Sequence, residues 1–170
     1  LTSATIIQMG SNQLSGAIPQ TVGQLAALRS LLLADNQLNG QLPVELGLLT
    51  SLKADLDLSN NALTGNLIQE LGNLANMKSL RVNGNRLAGP VPDTFAFLSS
   101  LKEFQFQDNN LSGVVPAGVC ELMIAKKTKS YADCQEISCP CCLFCCIDGI
   151  NECICTVEET APAQCSRRLF

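Results

Sequence analysis

The sequence predicts an α/β solenoid of about five 24-residue coils, with a parallel sheet along the concave face and a small disulfide-rich module at the C-terminus. Three observations lead there. An asparagine recurs at Asn12, Asn36, Asn61, Asn85 and Asn109, in steps of 24, 25, 24 and 24 residues. The same neighbours travel with each: Leu14, Leu38, Leu63, Leu87 and Leu111 two residues on, then Gly16, Gly40, Gly65, Gly89 and Gly113. All ten cysteines lie at or beyond Cys120, and the coils contain none.

Each repeated residue has a physical role. The alternation Leu31-x-Leu33 is a short strand with one face buried, and stacked copies make a parallel sheet with strands about 4.8 Å apart. A buried asparagine has two N–H donors and a carbonyl to satisfy, so five at one phase predict a ladder bonded to backbone groups of adjacent coils. The glycines allow a positive φ or a close backbone approach. Pro19, Pro43, Pro92 and Pro116 hold φ near −65° where the chain turns over, with Ile68 breaking the series.

From Leu28 to Pro43 the chain reads L-x-x-L-x-L-x-x-N-x-L-x-G-x-L-P. This pattern, repeated from Leu1 to about Val119, resembles the plant-type extracellular leucine-rich repeat family. Leu1, Ala4, Ile7, Met9 and Asn12 match the phase of Leu25, Leu28, Leu31, Leu33 and Asn36, so the first repeat starts part-way through a coil, and a fragment of a longer protein is expected. Repeats over residues 1–119 and a module over residues 120–170 are the expected domains. In the third repeat Lys53-Ala54-Asp55 adds one residue, which predicts a bulge near Asp55.

Composition removes several functions. The net charge is −4 and the pI about 4.7, which argues against nucleic acid. No apolar run reaches the roughly 18 residues of a membrane span. Without histidine there is no Ser-His or Cys-His arrangement, and the glycines follow repeat geometry instead of a phosphate-binding loop. Asp55 and Asp57 are a carboxylate pair with no cleft to serve. A non-enzyme without cofactor is expected.

The candidate binding surface is the concave face. One row across the coils is Gln8, Leu32, Asp57, Arg81 and Gln105, flanked by Asp35, Asp55, Asn83, Glu103, Gln107 and Asp108. It is polar and poor in aromatics, and Arg81 is its one residue of the types that dominate interfaces. Exchange of Arg81 for Glu is expected to leave folding intact. Five short strands give a face of only about 300 Å², against roughly 800 Å² per partner in a standard interface.

The C-terminal cysteines are Cys120, Cys134, Cys139, Cys141, Cys142, Cys145, Cys146, Cys153, Cys155 and Cys165. An even number in a short, loop-rich stretch reads as a disulfide framework in an oxidising compartment. A thiolate metal cluster is the competing reading, weakened by the absence of histidine and of two separated pairs. Cys120 or Cys134 is expected to tie the last coil to the module. Lys126, Lys127 and Lys129 break the leucine phase and read as a solvated cluster. The run from Ala132 to Cys146 resembles the cysteine-rich cap of secreted or cell-surface algal leucine-rich repeat proteins. Asn110-Leu111-Ser112 is a glycosylation sequon.

The resemblance implies an extracellular or cell-surface module that recognises a protein or peptide. The alternatives are a structural subunit of an extracellular or membrane-associated assembly, a secreted glycosidase inhibitor and an ice-binding protein.

Overall fold

The computed structural model describes residues 3–133, 137–138, 144–147 and 150–153, those beyond 132 by backbone except for the side chain of Ile137. Each coil contributes a concave strand, a second strand after the ladder asparagine, and a short 3-10 turn. In order these are β1 (Ile6–Gln8), β2 (Ser15–Ala17) and η1 (Gln20–Gln24); β3 (Ser30–Leu32), β4 (Gln37–Gln41) and η2 (Val44–Leu48). Then come β5 (Asp55–Asp57), β6 (Ala62–Asn66) and η3 (Gln69–Asn73); β7 (Ser79–Arg81), β8 (Arg86–Gly89) and η4 (Asp93–Phe97). The last coil has β9 (Glu103–Gln105), β10 (Asn110–Leu111), β11 (Gly113–Val114) and the helix α1 (Ala117–Lys126). Beyond it lie β12 (Lys129–Asp133), β13 (Ile137–Ser138), β14 (Phe144–Ile147) and β15 (Ile150–Cys153).

The fold is an α/β solenoid, but its concave sheet is longer than five strands. Its order is β1-β3-β5-β7-β9-β12-β14-β15, parallel until β15 closes it antiparallel to β14. The leucine phase stops near Val119, whereas the sheet carries on: Ser130 pairs with Phe104 and Tyr131 with Gln105. A second parallel sheet, β10-β8-β6-β4-β2, is formed by the N-x-L-x-G segments. The repeated glycines at its turns, such as Gly40 at φ 76° and Gly65 at φ 78°, hold a conformation that a Cβ would strain.

Between the sheets lies one continuous core. Leu31, Leu56, Leu80 and Phe104 fill the inward position of successive strands, each at most 2 % exposed. Burying such a side chain contributes about 2 kcal/mol. In the last coil phenylalanines replace leucines: Phe95 meets Phe104 edge-on at 5.7 Å, and Phe104 stacks on Phe106 at 4.3 Å.

The asparagines join the coils. Asn85 Nδ2 donates to Leu58 O of the preceding coil at 2.9 Å and to Val82 O of its own at 3.0 Å, while its Oδ1 accepts from Leu63 N at 3.0 Å. Asn36, Asn61 and Asn109 repeat this pattern. Asn12, at the first coil, bonds only Met9 O and Gly10 O within its own turn among the described residues. Coils also approach closely at the 3-10 turns, where a Cβ on Gly47 or Gly72 would run into the backbone of Glu70 or Thr94.

The two irregularities of the third repeat cost little. The extra residue falls at the entry to β5, beside Asp55 as expected: Lys53 and Ala54 N–H groups both donate to Arg29 O, at 3.2 and 3.0 Å. That is one residue earlier relative to the strand than Lys78 and Ser79, which donate to Ala54 O, and Leu31–Leu56 and Leu32–Asp57 stay in register. Ile68 takes φ −86° and ψ 134°, close to Pro43 at −73° and 137°, so an extended residue replaces proline before η3.

At the C-terminal end, α1 buries Val119, Cys120 and Met123 and ends on Lys127 in the left-handed region. Thr128 Oγ1 then donates to Leu101 O at 3.0 Å, which aligns β12 with β9. Cys120 is disulfide-bonded, and since every other cysteine lies at or beyond Cys134 the bond runs to the C-terminal module. Cys145, Cys146 and Cys153 lie on β14 and β15 by backbone. Cys134, Cys139, Cys141, Cys142, Cys155 and Cys165 lie outside the described residues.

Candidate functional site

The parallel register lines up Gln8, Leu32, Asp57, Arg81 and Gln105 as one row and extends it by Tyr131, with Phe144 at the next register position. Tyr131 is half-buried. It puts an aromatic residue on a face that the repeats alone leave almost without one. Ser130 and Ala132, its neighbours on β12, are fully buried, so the strand alternates as the leucine strands do, with small residues in place of large ones.

Near the middle of the row a charge network is built across three strands. Arg81 Nη1 lies 3.3 Å from Asp57 Oδ2 on β5, and Arg81 Nη2 lies 2.6 Å from Glu103 Oε2 on β9. Ser59 Oγ donates to Asp57 Oδ1 at 2.6 Å, and Gln105 Nε2 and Ser79 Oγ donate to Glu103 at 2.7 and 3.2 Å. Burial alone disfavours the Glu103 carboxylate, but hydrogen bonds from Arg81, Gln105 and Ser79, with the Arg81 charge, hold its carboxyl below the usual glutamate range. Burial likewise disfavours the Arg81 cation, and its contacts to Glu103 and Asp57 outweigh that. Arg81 is therefore committed to two carboxylates, and the cluster carries a net charge of −1 with side chains already oriented.

The other expected residues are placed separately. Asp35, exposed at φ 56°, accepts from Ser11 Oγ at 3.4 Å and Asn60 Nδ2 at 2.8 Å at the strand exits. Asp108 occupies the equivalent left-handed position. Asp55 begins β5, two residues from Asp57, and is half-buried. Asn83 and Gln107 follow the row on adjacent coils, and their side-chain oxygens, Asn83 Oδ1 and Gln107 Oε1, are buried without hydrogen-bond partners among the described residues. Asn110 is exposed at the edge of the second sheet. Among the described residues no group of His, Cys, Asp and Glu is arranged to hold a metal ion, and no helix is long and apolar enough to cross a membrane.

The Leucine Rich Repeat family model matches residues 27–49 and 55–74. The coils it matches are leucine-rich repeats. The leucine-rich repeat solenoid is similar to the BIR2 ectodomain from Arabidopsis thaliana, at 38% identity and TM-score 0.62 over 65% of this chain and 58% of that one. It is also similar to the Arabidopsis receptor kinase HAESA in complex with the peptide hormone IDA and the co-receptor SERK1, at 30% identity and TM-score 0.67 over 78% and 22%. A plant ice-binding protein matches at 30% identity and TM-score 0.66 over 76% and 40%. The chain thus spans less than two thirds of each of these proteins. No protein among those of curated function matches its sequence.

Proposed function

We propose that this leucine-rich repeat chain is a non-catalytic, extracellular recognition module that holds a peptide or protein on its concave face. The observation that carries the reading is the continuous row from Gln8 to Tyr131, with the Asp57–Arg81–Glu103 network at its middle. Charged groups that hold one another in place before a partner arrives lose little entropy on binding. The net negative network suits a basic residue in the partner, with the Tyr131 ring beside it. Eight strands give a face of about 500 Å², so the partner also touches a rim. The similarity to ectodomains, one of them in complex with a peptide hormone, supports the reading. Outside the cell, the exposed Asn110 of the Asn110-Leu111-Ser112 sequon accepts an N-glycan away from the concave face.

Affinity capture from the native source under non-reducing conditions, with cross-links mapped by mass spectrometry, tests this. Cross-links beside Arg81 and Tyr131 to one exchangeable partner, lost in Tyr131→Ala, are expected. Stoichiometric partners contacting only the flanks and the cysteine module would make the chain a structural subunit instead.

The likeness to a plant ice-binding protein favours ice binding as a second reading. The second sheet offers small side chains at Ser15, Asn39, Thr64 and Ala88, but Gln37, Gln41 and Arg86 interrupt them. Thermal hysteresis by the purified chain would decide for it.

A further inference from the structure

The rim where the chain enters the concave strands β3, β5, β7 and β9 carries one cation per coil. The main-chain N–H of Lys53 donates to Arg29 O, that of Lys102 to Lys78 O and that of Lys129 to Lys102 O, at 3.2, 2.8 and 2.9 Å, while Lys78 N–H donates to Ala54 O, the residue after Lys53, at 2.9 Å. Arg29, Lys53, Lys78 and Lys102 therefore follow one another along the rim of four coils, whereas Lys129 pairs with Glu103 on the concave sheet. All four are exposed. None makes an ion pair among the described residues, where the two ion pairs both belong to Arg81. They amount to four of the eleven lysines and arginines in a chain whose net charge is −4, so the row runs against the overall balance. Glu103, which begins β9 beside Lys102, has its charge taken up by Arg81, and Asp55 beside Lys53 is the remaining acid at the strand starts.

Like charges spaced about 4.8 Å apart lie well within the Debye length of about 8 Å, so the free solenoid bears a repulsion that a complementary anion relieves. The geometry points to a linear polyanion laid along this rim, and specifically to an acidic polysaccharide with one carboxylate or sulfate per sugar. A single file of charges fits such a chain better than it fits a membrane, which favours a broad patch. No aromatic residue alternates with the four cations to stack bases, as single-stranded nucleic acid would use. The coil repeat supplies a cation at a step comparable to one sugar residue, so affinity grows with oligomer length until the four coils are spanned. The surface is distinct from the concave row, and its failure leaves the recognition reading intact.

Isothermal titration of the whole chain with size-fractionated oligogalacturonate, at low and raised salt, tests the assignment. Binding that weakens steeply with salt, and vanishes when the oligomer is fully methyl-esterified, is the expected result. The combined Lys53→Gln, Lys78→Gln, Lys102→Gln variant, with thermal unfolding unchanged, should bind about tenfold more weakly, its log–log salt slope smaller by about two. Arg86→Gln, on the second sheet, should bind like the parent. No binding by the parent, equal binding of the methyl ester, or undiminished binding by the folded triple variant overturns the proposal. Binding to anionic phospholipid vesicles but not to oligogalacturonate overturns it too, and assigns the row to a membrane surface.

Discussion

The Arg81 guanidinium and the Glu103 carboxylate meet at 2.6 Å, Nη2 to Oε2, between the neighbouring strands β7 and β9. Because this contact lowers the Glu103 pKa in the folded chain, the folded state holds that proton less tightly than the unfolded state does. The associated stability is present above the ordinary glutamate value of 4.5 and is lost as pH falls through the lower folded value. Glu103→Gln should cost about 1 kcal/mol at neutral pH, modest because the pair is partly solvated and screened. Urea unfolding of parent and variant should show the difference shrinking to nothing in acid.

Arg81→Glu is expected to leave the chain folded but less stable. It sets a third carboxylate between Asp57 and Glu103 on adjacent strands, where like charges repel. A loss of roughly 1–2 kcal/mol is expected, partly recovered at acid pH, whereas Arg81→Gln should lose less. Thermal unfolding of the two variants side by side measures this, and equal melting would mean that the network holds no charge balance.

Asn85→Ala strips two carbonyls and one backbone N–H of their partners inside the core. Leu58→Ala opens a cavity at a side chain with no exposure. Each should destabilise by about 2–4 kcal/mol, read as a lower denaturation midpoint by circular dichroism. Asn12→Ala, whose bonds stay in its own exposed turn, should cost much less.

Gly72→Ala tests the packing of the 3-10 turns. The added methyl group meets the backbone of Thr94, which cannot step aside as a flexible side chain would. A destabilisation of roughly 1–3 kcal/mol is expected, while Gly118→Ala, which faces only the Ala96 side chain, should be milder. Calorimetry on the pair separates them.

The five-coil pattern was legible because each consensus residue meets a requirement repeated in every coil: a leucine for the core, an asparagine for the ladder, a glycine for a positive φ. The continuation into β12 was not. Lys129-Ser-Tyr-Ala-Asp133 alternates correctly, but its inward residues Ser130 and Ala132 are small, and their burial comes from packing against β9. Tyr131 was missed for the same reason. The concave row was legible in its members and not in its bonding: Arg81 stood out as a free anchor, whereas Asp57 and Glu103, 24 and 22 residues away, occupy it. The basic rim was not legible, because Arg29, Lys53, Lys78 and Lys102 stand alone in sequence and become neighbours through the coil.

Among the described residues, the hydrogen bonds made by the side chains of Asn36, Asn61 and Asn85 all go to their own coil or to the one before it. The asparagine of a newly synthesised coil thus finds its partners already made, while a backbone N–H such as that of Leu38 stays open until the next coil supplies Asn61 Oδ1. The ladder gives the molecule a direction of assembly, the one in which the ribosome delivers it.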